Sequence, residues 1–270
     1  MKLNRVLIIT KPYAASGARR TRSRLLGAAH RRLQRGMERA VEGMGLKLTV
    51  ASRPNMPRAR GFDLIVTFGG DGTFLAAAHI ADGTPILGVN ASPDHSVGFY
   101  CMARPQNFEK TLRRIAEGKI APRQLPLIET RIGARALPCL ALNDVLFAGT
   151  SPAETVRYEL SAGGRREEQK SSGVWISSGP GSTAAIESAG GRPLGIFSRR
   201  LQFLVREPCV TPGSRYRMTR GVLRAGQAIS LVSHMRTGRL YIDGHWHEYK
   251  APEGARLACR VAKKTLKVFI

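Results

Sequence analysis

Gly69-Gly70-Asp71-Gly72-Thr73 stands between two segments of opposite periodicity. Before it, Phe62–Phe68 (FDLIVTF) is short, apolar and rich in β-branched and aromatic residues, which reads as a buried strand. After it, Phe74–Ala81 reads as a helix. A buried strand that passes through glycines directly into a helix belongs to a parallel sheet with helices on its faces. The flanking sequence agrees. Asn4–Thr10 and Leu46–Ser52 read as strands, and Pro85–Asn90 as another after the glycine turn. Between the first two, a Gly/Ser/Arg loop leads into a helix. Leu25, Ala29, Leu33 and Met37 mark its apolar face, with Leu26, Ala40, Val41 and Met44 filling it and Arg31, Arg32, Arg35 and Arg39 off it. Gly43 and Gly45 stop it.

One more helix is expected at Asn107–Lys119. Beyond Pro122 the pattern changes to strand after strand. These are Leu125–Ile132, Pro138–Phe147, Thr155–Ala162, Val174–Ser177, Leu201–Arg206, Ala228–Val232, Arg239–Ile242, His245–Lys250, Arg256–Ala262 and Thr265–Ile270. One short helix, Ser182–Ser188, interrupts them, and Gly163–Lys170 reads as a hairpin tip. The expectation is an α/β domain with a Rossmann-like parallel sheet over residues 1–122, and a β-rich, β-sandwich-like domain over 123–270.

The glycine turn sits where ligands of open parallel sheets bind, beyond the carboxyl ends of the strands. Glycines let the backbone approach a ligand closely. The helix that follows presents unpaired N–H groups and a positive dipole end, which suit phosphate. A carboxylate in such a turn repels phosphate unless a cation bridges it or unless it takes a proton from a hydroxyl. Both are kinase chemistry. The plainer reading is a β–α turn with Asp71 as helix cap. Asp82-Gly83-Thr84, which lacks the preceding glycines, reads as that plain turn. Neither G-x-G-x-x-G nor G-x-x-x-x-G-K-[ST] occurs, which disfavours a dinucleotide-binding dehydrogenase or a P-loop enzyme.

Charge points to anions. The 270 residues carry 43 Lys+Arg against 19 Asp+Glu, a net charge of +24. Residues 1–60 hold 15 basic and 2 acidic side chains. The 33 arginines are scattered along the chain and no aromatics interleave with the densest run, so most of them read as a solvated surface and not as a nucleic-acid face. Cys101, Cys139, Cys209 and Cys259 form no C-x-x-C, so no zinc site, metal ligands or disulfide framework is nominated. No signal-peptide core or membrane-length apolar run is present, and a cytoplasmic setting is expected. His245 and His247 share a face on a strand and read as solvated or interface side chains.

The ordered motifs resemble the NAD kinase family. They are Gly69–Thr73, a strand ending Gly88-Val89-Asn90, Gly98-Phe99, Asn143-Asp144, Gly181-Ser182-Thr183-Ala184, Ser188-Ala189-Gly190-Gly191, Arg206-Glu207-Pro208 and Asp243-Gly244. The segments Gly88–Gly98 and Ser171-Ser172-Gly173 are more similar to the mitochondrial-type branch, which accepts NADH as well as NAD. Ser172 stands where the family usually has Asp, Ala185 where it has Tyr, and the usual tail helix is missing. The resemblance implies transfer of a phosphoryl group from ATP, or another polyphosphate donor, to the 2′-hydroxyl of the adenosine ribose of NAD(H). Asp71 would accept the proton of that hydroxyl or orient it. Gly72, Phe99, Asn143, Asp144, Ser172, Thr183, Ala184 and Ser188 would bind NAD. Gly69, Gly70, Thr73, Gly181 and Ser182 would form phosphate loops. Magnesium would accompany ATP, and a homo-oligomer, dimer or tetramer, is implied.

Two other readings stay open on the residues. A diacylglycerol- or sphingoid-type lipid kinase also uses a glycine-rich Asp loop, but leaves Asn143-Asp144 and Gly181–Ala184 without a task. A non-catalytic nucleotide- or nucleic-acid-binding protein would use the basic surface, and the intact Asp71 argues against it.

Overall fold

The computed structural model describes residues 2–11, 20–210 and 215–270, with only the backbone for 20–26 and Pro54. The expected Gly/Ser/Arg loop and the side chains of Leu25 and Leu26 lie outside the described residues. Two compact units emerge. One comprises residues 1–124 with 266–270, the other residues 125–265.

The first unit is an α/β layer. Strand β1 (Arg5–Thr10) leads to helix α1 (Arg20–Glu42) and β2 (Lys47–Ser52). Strand β3 (Leu64–Gly69) runs into α2 (Asp71–Ala78), then β4 (Ile86–Asn90), β5 (Cys101–Ala103) and α3 (Phe108–Ala116). All pairings are parallel, in the order β2-β1-β3-β4 with β5 against β4. Every residue of β3 and β4 is buried, as helices on both faces require. The core gathers Val6, Ile8, Val66, Phe68, Leu87 and Val89 of the sheet with Met37 and Val41 of α1 and Leu112 and Ile115 of α3.

The buried face of α1 departs from the fourfold spacing. Ala29 is exposed and His30 is buried in its place. An α-helix turns about 100° per residue, so every fourth residue drifts about 40° around the axis. Two steps back from Met37 the stripe has left the core. Arg31, Arg32, Arg35 and Arg39 are exposed as the pattern implies. Asp82-Gly83-Thr84 is the plain turn expected, with the Thr84 hydroxyl donating to the carbonyls of Ala59 and Phe62.

The second unit is a β-sandwich. Strand β6 (Arg123–Ile132) folds onto the two-residue β7 (Arg135–Ala136). Then come β8 (Asp144–Ala148), β9 (Val156–Ala162), β10 (Arg165–Ser171) and β11 (Gly173–Ser177). After the short helix α4 (Ala185–Ser188) follow β12 (Leu201–Arg206), β13 (Arg220–Leu223), β14 (Ile229–Ser233), β15 (Arg239–Ile242), β16 (His247–Lys250) and β17 (Arg256–Phe269). One sheet runs β13-β12-β11-β8-β15-β16, all antiparallel. In the other, β10, β9, β14 and β17 pair antiparallel in that order. Alternate residues of β9 and β14 turn inward, and both sheets share one core around Phe147, Tyr158, Val174, Leu231 and Leu240. Cys139 and Cys259 lie in that core.

Several boundaries differ from the sequence reading. Arg256–Phe269 is one 14-residue strand, because Lys263 and Lys264 point outward and do not interrupt pairing. Its end pairs with β4 through Val268 and Phe269, in the first unit. The hairpin tip shrinks to Gly163-Gly164, both at positive φ, since Arg165 already pairs with Ala162. His245 lies in the turn before β16, not on a strand with His247. Residues 138–143 form no strand beyond a bridge between Ala141 and Ile128.

Phe147 is fully buried and meets Tyr158 edge-on at 5.4 Å. Phe147→Ala is expected to destabilise the chain by about 3–5 kcal/mol in urea unfolding.

Candidate active site

The carboxyl ends of β1, β2, β3 and β4 come to one edge of the parallel sheet, and a cavity of ≈ 310 Å³ opens there. Lys11 follows β1, Arg53 follows β2, and Gly69–Thr73 follows β3. Ala91, Ser92, His95 and Ser96 follow β4, and His30 reaches in from α1.

Asp71 is the first residue of α2, and Gly70 occupies the cap position in an extended conformation. A carboxylate in the first turn favours the helix dipole. Its Oδ1 accepts the amide hydrogen of Tyr100 at 3.0 Å, and Oδ2 meets no hydrogen-bond donor among the described residues. The Tyr100 ring is buried and stacks on Phe74 of α2 at 4.9 Å, which holds that amide in place. Gly69 and Gly70 are sterically required. A Cβ on Gly69 would stand 2.4 Å from Thr73 Oγ1, and one on Gly70 2.2 Å from Ser96 Oγ. Thr73 is therefore buried behind the strand end, while Gly72 is exposed at the helix start.

The 91–98 loop is folded by Asn90, whose side chain donates to the Ser96 carbonyl and accepts from the Ser92 amide. Phe99 follows this loop. It is 38% exposed and edge-on to Tyr100, so it is a presented ring and not a core aromatic. Among the described lining residues Asp71 is the one carboxylate, set among Lys11 and Arg53. The Arg53 guanidinium reaches to 3.6 Å of where a Cβ on Gly72 would be. His30 stacks on Phe68 at 4.3 Å. Burial, then the charges of Lys11 and Arg31, hold its pKa below the usual value. Burial and Asp71 push the Cys101 thiol up to about 12, so it stays protonated.

Lys11, His30, Arg53 and His95 were not singled out by the sequence reading, which nominated no individual cation for phosphate. The usable signal was position. Lys11 and Arg53 are each the first residue after a strand of a parallel sheet, and those ends converge.

In the second unit, Asp243 organises the expected Asn143-Asp144 pair. Its carboxylate accepts the amide hydrogens of Leu142 at 2.9 Å, Asn143 at 2.7 Å and Asp144 at 3.1 Å. This is why residues 138–143 do not extend β8: those amides serve a side chain in place of a neighbouring strand. Asp144 is 5% exposed, and its pKa is raised to about 7 by burial and then by the Asp243 charge. Gly181 packs on this turn so closely that a Cβ would overlap the Asn143 carbonyl.

Ser182 is buried and its hydroxyl is committed to main chain, donating to the Gly179 carbonyl at 2.7 Å and accepting the Leu194 amide at 2.8 Å. It staples the turn to Leu194. Thr183 and Ser188 are exposed, with Ala184 half-buried between the 3₁₀ turn Pro180–Thr183 and α4. Ser172 is not brought to this group. Ser177 pairs with Asp144, and Ser172 lies beyond the opposite end of β11, about 16 Å along the strand.

The residues 6–120 match the model of the ATP-NAD kinase N-terminal domain. The chain is 31% identical to a probable NADH kinase of Oryza sativa subsp. japonica, over 77% of this chain and 71% of that protein. It is 32% identical to an NADH kinase of Arabidopsis thaliana, over 78% of this chain and 74% of that protein. The chain belongs to the NAD kinase family. Two solved family structures share its fold. An NAD kinase from Archaeoglobus fulgidus in complex with ATP superposes with a TM-score of 0.74 at 20% identity, covering 98% of this chain and 93% of that one. Yeast NADH kinase complexed with NADH superposes at 0.77 with 15% identity, covering 100% and 84%. Both the α/β and the β-rich halves thus have counterparts within the family.

Asp144 gives a pH signature. In the unfolded chain its carboxyl titrates near 3.8, in the fold near 7. The folded state therefore holds the extra proton between these values, and its stability falls as pH rises from about 4 to about 7 before levelling off. Asp144→Asn is expected to flatten that slope in urea unfolding followed across this range.

Proposed function

We infer that the chain phosphorylates NAD or NADH at the 2′-hydroxyl of the adenosine ribose, with ATP as donor. The observation that supports this most directly is one carboxylate, Asp71, at the mouth of a cationic cavity at the end of a parallel sheet. Phosphoryl transfer asks little covalent chemistry of a protein, and positioning and charge do most of the work. With Oδ1 anchored by the Tyr100 amide, Oδ2 would face the acceptor hydroxyl, orient it and take its proton as the 2′-oxygen bonds to the γ-phosphorus of ATP and the bond from that phosphorus to the departing ADP breaks. Lys11, Arg53 and the free amides at the start of α2 balance the donor's negative charge.

In the β-rich unit, residues 125–265, Asn143 and Asp144 hydrogen-bond ribose hydroxyls and the adenine edge, and Asp243 positions them. A protonated Asp144 can donate as well as accept. Thr183, Ala184 and Ser188 contact the dinucleotide from the helix start, Gly72 packs against it, and Phe99 offers its exposed ring to adenine. Ser172 lies apart from this group along β11. The plant relatives named NADH kinases support acceptance of the reduced dinucleotide.

One carboxylate with neighbouring Ser92 and Ser96 hydroxyls suits a magnesium ion that arrives on donor phosphates, not one held by the protein alone. When bound, that ion offsets phosphate charge. Its protein-side contact would be Asp71. Among the described residues no helix is long and apolar enough to cross a membrane. The four free cysteines fit a reducing cytoplasm. Edge strands β10, β13 and β16 and the family resemblance support a dimer or tetramer.

The test is turnover of purified protein with Mg-ATP and NAD, NADH or a diacylglycerol. NADP or NADPH should form, and Asp71→Asn should reduce the rate by about 10²–10⁴-fold while leaving the melting temperature intact. Phosphorylated lipid in place of dinucleotide would refute the reading. Arg53→Gln should raise the KM for ATP by about tenfold with a smaller change in kcat.

A further inference from the structure

Lys11, Arg53 and Asp71 of the sheet-edge cavity each have work in phosphoryl transfer, and His30 lines the same cavity without a task in that scheme. It is 8% exposed, in a stretch of α1 whose Ala29, Arg31 and Arg32 face solvent. It stands seven residues before Met37, about two helical turns, so both side chains face the sheet. Packing alone would be met there by an apolar residue, as Met37 and Val41 meet it further along the helix. A polar ring in that stripe costs stability unless its nitrogens are used.

The ring is fixed in place. It stacks on Phe68 of β3, with centroids 4.3 Å apart and planes 26° from parallel. Phe68 is fully buried and directly precedes Gly69, so the stack ties the imidazole to the strand end that carries the glycine turn. The other imidazole of the lining, His95, is exposed on the 91–98 loop.

Among the described residues, the charged and titratable groups around His30 are Lys11 after β1, Arg53 after β2, Asp71 at the start of α2, His95 in the loop after β4 and Arg31 on its own helix. Burial, then Lys11, then Arg31 lower its pKa, so the ring is neutral in the free protein at about pH 7. Lys11 and Arg53 carry charge at all times, whereas an anion set beside them would favour the imidazolium form of His30. We propose that His30 is a ligand of the donor's phosphates, donating a hydrogen bond to a phosphate oxygen beside Lys11 and Arg53. The role rests on the reading that ATP occupies the Asp71 cavity. One proton comes from solvent as the triphosphate enters, charges the ring and returns to solvent when the nucleotide leaves. Below the pKa of the free ring no proton is taken up and affinity is highest. Between the free and bound pKa values the ATP affinity should fall by up to about tenfold per pH unit as pH rises.

The test is calorimetric titration of the whole chain with Mg-ATP, without acceptor, in buffers of different ionisation enthalpy between about pH 6 and about pH 8. The unaltered chain should take up protons on binding. His30→Gln should abolish that uptake and weaken ATP about tenfold at the acid end, with NAD affinity within about twofold. His30→Phe keeps the stack on Phe68 and should lose the same uptake, which covers a His30→Gln chain that fails to fold. Unchanged uptake in the His30 variants would overturn the proposal. So would loss of uptake in His95→Gln alone, or a chain that binds no ATP. NADP formation is scored separately. NADP together with uptake that survives in the His30 variants removes the role of His30 and leaves the activity standing. Uptake that depends on His30, without NADP or NADPH, supports the ligand and refutes the acceptor.

Discussion

The site depends on a property of parallel sheets: every strand delivers its carboxyl end to the same edge. In the first unit β1, β2, β3 and β4 run in one direction, so residues far apart in sequence meet where the strands stop. Lys11, Arg53 and Asp71 are neighbours for this reason alone. The glycines at 69 and 70 tighten the arrangement by allowing Thr73 and Ser96 to occupy the space of missing Cβ atoms. The result is a carboxylate held at a helix start among cations, which is what transfer between two polyanionic nucleotides requires.

The second unit solves a different problem. A sandwich of antiparallel strands has no convergent edge, so its turns are shaped by side chains. Asp243 gathers three consecutive amides and ends the regular strand at Asp144. A cost follows, because two carboxylates now lie close together away from water. Asp144 meets that cost by keeping its proton to about pH 7. The same turn admits only glycine at 181, so the Asn143-Asp144 and Gly181–Ala184 motifs are one packing unit although Asn143 and Gly181 are 38 positions apart in the chain.

The large positive charge divides by environment. Lys11 and Arg53 border the Asp71 carboxylate, while Arg31, Arg32, Arg35 and Arg39 face solvent on α1. The basic first 60 residues thus supply two cations to the cavity and coat a helix with several others. Exposed pairs such as Arg113–Glu109 add little stability in water.

Strand and helix order in the first unit was legible because β-branched runs and an amphipathic stripe leave little alternative. Asp71 was legible because a carboxylate among glycines conflicts with a phosphate turn unless it has chemistry to do. The sandwich was legible as a class, though not in its boundaries: short alternating segments do not reveal which amides a distant carboxylate takes. The bonds of Ser182 were not legible, since a hydroxyl in a glycine turn reads the same whether or not it staples the turn to Leu194. By itself the sequence determined the two architectures and the carboxylate in the glycine turn, since these follow from periodicity and local chemistry. Only the tertiary structure decided that Lys11, His30 and Arg53 join Asp71, that Asp243 shapes the Asn143-Asp144 turn and that Ser172 stands apart, since these depend on which chain ends meet in space.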